Sequence, residues 1–275
     1  MHPTIPIAVV NPQRPGARAE VRCGLCSFNK LCLPQGLDEH DMGRLDQIIV
    51  RRRRVLRDES LYAMGQSFHS LYAVRLGHFK TAQVNRRGEQ QITGFHMAGD
   101  LLGMEAIGSG QHSCAAVALE DSEVCEIPFA RLQELVLQVP PLMQHFHRTM
   151  AREIQREQSV MLFLGNMRAE QRLALFLLSM GARYAARGYS PASFQLRMSR
   201  EDIGGYLGLT IESVSRLLAR FRKQGWISLD KREVSLLDLA GLERLSLGVA
   251  GEAEDGGVGG GEAGNQPDYA APRAA

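Results

Sequence analysis

The chain has 275 residues, 44% apolar and 23% charged, with a formal net charge of +2. Its longest charge-free stretch, Ser60 to Val74, is shorter than the roughly 20 apolar residues a bilayer span needs, which excludes a membrane-spanning helix. Five cysteines, an odd number in so long a chain, indicate a reducing, cytoplasmic compartment rather than a disulfide scaffold.

Charge is spread unevenly. Residues 1–166 hold 18 Lys+Arg against 17 Asp+Glu, residues 167–247 hold 13 against 8, and residues 248–275 hold 1 against 5. A basic C-terminal domain followed by an acidic tail points to a nucleic-acid partner, although a solvated surface accounts for the same surplus. Met1 to Gln13 has no basic region before its short apolar run, so it reads as no secretory signal.

At about 150 residues per domain the length fits two domains. Residues 1–36 are rich in Pro and Cys with little periodicity, and read as a loop-like segment that a ligand would order. Residues 37–138 carry short alternating runs such as Ser70-Leu-Tyr-Ala-Val-Arg, His78-Phe-Lys-Thr-Ala-Gln-Val and Gln91-Ile-Thr-Gly-Phe-His, with glycine breaks at 65, 77, 88, 99, 103 and 108. That spacing predicts an antiparallel sandwich or roll. The quadruple Arg51–Arg54 lies in this region and reads as a solvated edge.

Over residues 139–166 the period changes. Pro140-Pro141 suit a helix start, and Met143, His147, Met150, Ile154, Glu157, Met161 and Leu164 follow at alternating steps of four and three. A seam of about three heptads predicts a long helix that pairs with a second copy of itself. Glu157 interrupts the seam with a charge. Two copies facing each other would repel, so Ile154 and Glu157 form a candidate dimer switch, against the plainer reading of a solvated glutamate at the seam's edge.

Residues 167–247 read as helices followed by a hairpin. Ser199 is a candidate N-cap with Asp202 three residues on. Gly208-Leu-Thr210 makes a turn, with Thr210 capping a second helix over 211–224. Val214, Leu217, Leu218 and Phe221 form its apolar face, while Glu212, Ser215 and Arg216 share the outer face at spacings of three and four. This pattern predicts a helix-turn-helix that places those three residues at base edges, with Arg220, Arg222 and Lys223 near phosphates. Trp226-Ile-Ser-Leu and Glu233-Val-Ser-Leu predict the wing. The Gly/Ala-rich tail, 248–275, predicts disorder.

Cys23, Cys26 and Cys32 crowd into ten residues. A thioredoxin-like or c-type haem site lacks its flanking elements or histidine. Zinc, completed by His40, Cys114 or Cys125, and an iron–sulfur centre, completed by Cys114 or Cys125, remain equally open on spacing. No nucleotide-binding glycine motif or nucleophile–base arrangement accompanies the CxxC, which argues against a redox enzyme.

Several runs resemble the Crp/Fnr transcription regulators, and among them the oxygen-sensing fumarate-and-nitrate-reduction group. These are Cys23-Gly-Leu-Cys-Ser-Phe-Asn-Lys-Leu-Cys32, Gln91-Ile-Thr-Gly-Phe-His-Met-Ala-Gly-Asp100, Val124-Cys-Glu-Ile-Pro128 and Asp202-Ile-Gly-Gly-Tyr-Leu-Gly-Leu-Thr210. The resemblance implies an α+β protein with an N-terminal β-roll, a long dimerisation helix and a C-terminal winged helix-turn-helix. It implies a 4Fe–4S cluster on Cys23, Cys26, Cys32 and Cys125, with Cys114 left as a buried filler. It implies DNA reading by Glu212, Ser215 and Arg216 on inverted TTGAT half-sites, homodimerisation, and contact with RNA polymerase through the loop near Val84–Gln90. A zinc-stabilised or haem-using regulator of the same superfamily is the alternative. No Arg or Lys occurs between Arg87 and Arg131, so a cyclic nucleotide's phosphate would lack its charged partner.

Overall fold

The structure, a computed structural model, describes residues 22–84, 88 and 90–248, without the side chains of 162–164. Met1 to Gln13, read as no secretory signal, most of the expected polymerase-contact loop, the side chain of Leu164 and the tail beyond Gly248 lie outside the described residues.

The elements in chain order begin with a turn of 3-10 helix at Cys23–Leu25 and helix α1 (Glu39–Ile48). Eight strands follow: β1 (Arg51–Val55), β2 (Ser60–Tyr62), β3 (Ser70–Leu76), β4 (His78–Val84), β5 (Gln90–Met97), β6 (Leu101–Leu102), β7 (Ala115–Ala118) and β8 (Ser122–Pro128). They form two antiparallel four-stranded sheets, ordered β1-β8-β3-β6 and β2-β7-β4-β5. The three runs predicted from alternation fall within β3, β4 and β5. Gly77 shows why glycine punctuates them. It turns β3 into β4 at φ +86°, and a Cβ there would stand 2.1 Å from the Ser122 hydroxyl.

Between the sheets lies a core of Val55, Leu61, Tyr62, Tyr72, Val74, Phe79, Leu102 and Val124, with Cys114 at 4% exposure. The alternation expected for 37–138 missed two helices, α1 and α2 (Phe129–Gln138). Both cover the outer face of the first sheet, where Leu45 and Leu132 meet Leu71, Ala73 and Ile127. Neither helix has a long enough apolar period to stand out from the strands around it.

Helix α3 (Pro140–Asn166) is the long helix predicted from the seam. Its first half is built into the chain, with Leu142 and Phe146 buried beside Leu45, Leu132 and Cys23. Met150 is also half-buried there. Its second half is open: Ile154 is 53% exposed and Met161 is 73% exposed. Among the described residues no helix is long and apolar enough to cross a membrane.

The C-terminal part comprises α4 (Ala169–Ala185), β9 (Ser193–Gln195), α5 (Arg200–Leu207), α6 (Ile211–Lys223), β10 (Ile227–Asp230), β11 (Glu233–Leu236) and α7 (Leu239–Ser246). The predicted hairpin is present as β10 and β11, turned through Lys231 at φ 53°. β9 adds a third strand against β11, and α7 closes the core; both are too short to announce themselves in the sequence.

This part shares one core with the second sheet of the roll. Ala82, Ile92, Phe95 and Met97 pack with Phe176, Ile203, Leu207 and Val214. Phe95, Phe176 and Tyr206 form a ring cluster across the boundary, with centroids 5.2–6.0 Å apart. Polar ties flank it. Asp100 accepts from Arg183 at 2.5 Å and from Arg187 at 2.7 Å, and Lys80 donates to Asp202 at 2.5 Å.

Candidate nucleic-acid interface and cysteine cavity

The reading element starts from its caps. Ser199 Oγ accepts from the Asp202 N–H at 3.0 Å, and Asp202 Oδ2 accepts from the Ser199 N–H at 2.9 Å, which makes the reciprocal box predicted from the sequence. Burial pushes the Asp202 carboxyl up, but the hydrogen bonds from Lys80 and Ser199 outweigh it and its pKa is lowered. Gly208 ends α5 in the left-handed region at φ 63°. Gly204 permits the crossing that follows, since a Cβ there would meet the Leu209 carbonyl at 2.5 Å. Thr210 Oγ1 then accepts from the Ser213 N–H at 3.2 Å to open α6.

Val214, Leu218 and Phe221 anchor α6 at 0–2% exposure, and Leu217 is half-buried beside them. Glu212 and Arg216 are exposed and Ser215 half-exposed on the opposite face. The open N-terminus of α6 holds the Glu212 carboxylate below its ordinary range, first through its own backbone N–H, then through the Thr210 hydroxyl and Arg216.

Sequence reasoning missed Arg200, which donates to Ser215 Oγ at 3.2 Å from the first turn of α5. Only the folded turn brings the two helices together. Arg220, expected at a phosphate, is paired with Glu170 at 2.7 Å in this chain, whereas Arg222 and Lys223 are exposed.

A second constellation lies at the opposite face of the roll. Cys23, Cys26, Cys32 and Cys125 line one narrow cavity of about 30 Å³, together with Leu33, Leu45, Ile127, Arg22, Arg52 and Arg75. The first three come from a segment held by local turns, in which the Cys26 N–H bonds the Cys23 carbonyl and the Cys32 N–H bonds that of Phe28. Cys125 comes from β8, directly opposite Arg52 on β1 and Ala73 on β3.

Burial pushes the Cys32 thiol up to about 12 and the Cys125 thiol up to about 11, the latter against the pull of Arg52 and Arg75. Cys23 is pushed up too, by burial and by its hydrogen bond to Asp46. Among the described residues, no three His, Cys, Asp or Glu side chains stand close enough to share a metal ion.

Cys114 lies elsewhere. It lines a larger cavity of about 270 Å³ between the second sheet and α3, with Tyr62, His96, Glu105, Glu153 and Glu157. No Arg or Lys is among the described residues lining it. Arg156 adjoins it, engaged by Glu153. Glu157 is therefore exposed at the mouth of this cavity, one turn from Ile154.

Two family profiles match the chain: the cyclic nucleotide-binding domain over residues 52–139 and the Crp-like helix-turn-helix domain over residues 171–245. Transcriptional regulatory protein btr of Bordetella pertussis is 45% identical over 223 residues, covering 81% of this chain and 92% of that protein. The fumarate and nitrate reduction regulatory protein of Escherichia coli is 44% identical over 226 residues, covering 82% and 90%. The solved structure of FixK2 from Bradyrhizobium japonicum superposes with a TM-score of 0.65 at 31% identity, covering 70% of this chain and 96% of that one. With the roll, the capped helix pair and these likenesses together, the chain belongs to the Crp/Fnr family, as a DNA-binding transcription regulator and not an enzyme.

Proposed function

We propose that this protein is a cytoplasmic, oxygen-responsive regulator in which Cys23, Cys26, Cys32 and Cys125 hold a 4Fe–4S cluster. The loaded chain pairs as a homodimer and binds a palindromic TTGAT-type site when oxygen is low. The supporting observation is the cavity that gathers those four thiols and leaves Cys114 on the far side of the roll. The donor set suits the group: four sulfurs in an aliphatic pocket, with arginines at its wall to offset the charge of four thiolates. Likeness to the fumarate and nitrate reduction proteins supports the same reading.

A bound cluster supplies a cross-link among four thiolates that oxygen breaks down. The chain's own packing carries the effect of that cross-link to α3. Cys23 shares a core with Leu142 and Phe146 of that helix, and the His145 ring meets the backbone of Cys32. Ordering the cysteine segment therefore sets the bed on which the first half of α3 rests. The exposed half carries Ile154, Glu157 and Met161. Two Glu157 carboxylates brought together on pairing repel, so the unloaded chain favours the monomer. In the dimer two α6 helices lie about 34 Å apart, one turn of DNA, with Glu212, Ser215 and Arg216 toward the bases. Contact with RNA polymerase through the β4–β5 loop rests on family likeness alone. The acidic lining of the larger cavity argues against a cyclic nucleotide there.

The test is an anaerobic absorption spectrum with iron and sulfide analysis, followed through admission of air while DNA binding and mass are monitored. Iron-free protein that still holds its site and stays dimeric would overturn the proposal. Zinc in place of iron would turn it toward a metal-stapled regulator.

A further inference from the structure

Arg52 has a place in the cysteine cavity that its own strand does not explain. The four arginines of β1 alternate between the sheet's two faces. Arg53 stands opposite Val124, whose side chain is fully buried between the sheets. Arg52 stands opposite Cys125 and lines the cavity of the four thiols.

Its hydrogen bonding is incomplete. Arg52 Nε is buried without a hydrogen-bond partner among the described residues. Glu123 Oε1 is 4.0 Å away, beyond bonding reach, because Glu123 is taken by Arg75 at 2.7 Å. A buried guanidinium N–H left unsatisfied costs free energy, and such a group is the exception that calls for an unseen acceptor. The neighbour in register is a sulfur. Four thiolates around a 4Fe–4S core leave a net negative group in an aliphatic pocket, which calls for a cationic donor at its wall.

We propose that Arg52 donates its Nε–H to the sulfur of Cys125 in the cluster-loaded chain and so sets the redox potential of the cluster. The inference rests on the cluster reading above. A cation that donates to a ligating sulfur stabilises the more negative, reduced form, so it raises the midpoint potential. Arg52 thereby acts as a positioning and tuning residue and is not itself a ligand.

The experiment uses the full chain reconstituted anaerobically with ferrous iron and sulfide, in wild-type, Arg52→Met, Arg52→Lys and Arg53→Met forms. Iron and sulfide content establish loading, circular dichroism establishes folding, and potentiometric titration gives the midpoint potential. In Arg52→Met we expect wild-type loading with the reduction equilibrium lowered on the order of tenfold, about 59 mV for a one-electron couple. Arg52→Lys, which keeps the charge but loses the planar donor, should recover part of the shift. Arg53→Met should leave the potential where it was. A loaded Arg52→Met protein with the wild-type potential, or an equal shift in Arg53→Met, overturns the role of Arg52 alone. A wild-type chain that takes up no iron overturns the cluster reading and this inference with it.

Discussion

Asp100 offers the sharpest test of how the roll holds the DNA-reading part. Its carboxylate accepts from Arg183 and Arg187 of α4, and its Oδ2 also accepts from the Met97 N–H at 2.9 Å. Replacing it by Asn keeps the size and one acceptor but removes the charge. Arg187, whose side chain is 7% exposed, would then be left buried beside a neutral group. A hydrogen bond to a charged group contributes about 1.5–3 kcal/mol. The two bonds share one carboxylate and do not add, and with 22% of the Asp100 side chain in water, screening trims the sum. We expect Asp100→Asn to cost about 2–3 kcal/mol. With a slope of about 3 kcal/mol per M in urea, the unfolding midpoint falls by about 0.7–1 M.

The pH dependence carries its own sign. Burial pushes the Asp100 carboxyl up, yet Arg183, Arg187 and Arg156 outweigh it and hold it well below the carboxylate range. Its stabilisation is therefore complete above the unfolded pKa of about 3.9 and fades as the pH falls below that. Urea titrations of both proteins at pH 7, 5, 4 and 3 should show a gap that is constant down to about pH 5 and narrows below about pH 4. A gap under about 0.5 kcal/mol at pH 7, or one that ignores acid, refutes the assignment of Asp100 as the clasp between the two parts.

Other changes address the sites. Cys125→Ala should abolish anaerobic iron retention and low-oxygen DNA binding, while Cys114→Ala should leave both intact; iron analysis and gel shifts decide, and the reverse pattern would reassign the ligand. Arg216→Ala should lose about 1–3 kcal/mol at one base pair and relax preference there, whereas uniform weakening on all sequences would make it a phosphate contact. Glu157→Ala should give dimers in air on a sizing column, and an unchanged monomer would remove the repulsion from the account. Phe221→Ala, at a fully buried anchor of α6, should cost about 3–5 kcal/mol in denaturant titrations while the thiol cavity stays intact.

The parts legible in the sequence were those fixed by local chemistry. The Ser199 box, the Gly208 stop, the Thr210 cap and the apolar stripe of α6 each depend on a few adjacent residues, and the sequence names them all. Strands β3, β4 and β5 were readable as short runs rich in apolar and β-branched or aromatic residues and bounded by glycine, even though β3 is buried on both faces, with Tyr72 and Val74 between the sheets and Leu71 and Ala73 under α1 and α2. The helices α1 and α2 were not, because each is ten residues long and amphipathic only toward neighbours that the fold supplies.

The cysteine spacing announced a site without saying which metal or which fourth thiol, because Cys125 reaches the others only through the β1–β8–β3 ladder. Arg200 at Ser215 and Glu170 at Arg220 are long-range meetings of the same kind. The seam pattern gave the half-buried to exposed face of α3, with Met143, His147, Met150, Ile154, Glu157 and Met161 along it, but not the second face, where Leu142, His145 and Phe146 bury the first half of the helix against the roll.

The rings of Phe95, Phe176 and Tyr206 have a practical corollary for anyone recombining these regulators. A head excised at residue 167 would leave Phe176 and Tyr206 stripped of the sheet that shelters them, and a sticky fragment would follow. Exchange of DNA specificity between relatives should therefore graft α6 alone, or else transplant β4 and β5 along with the head.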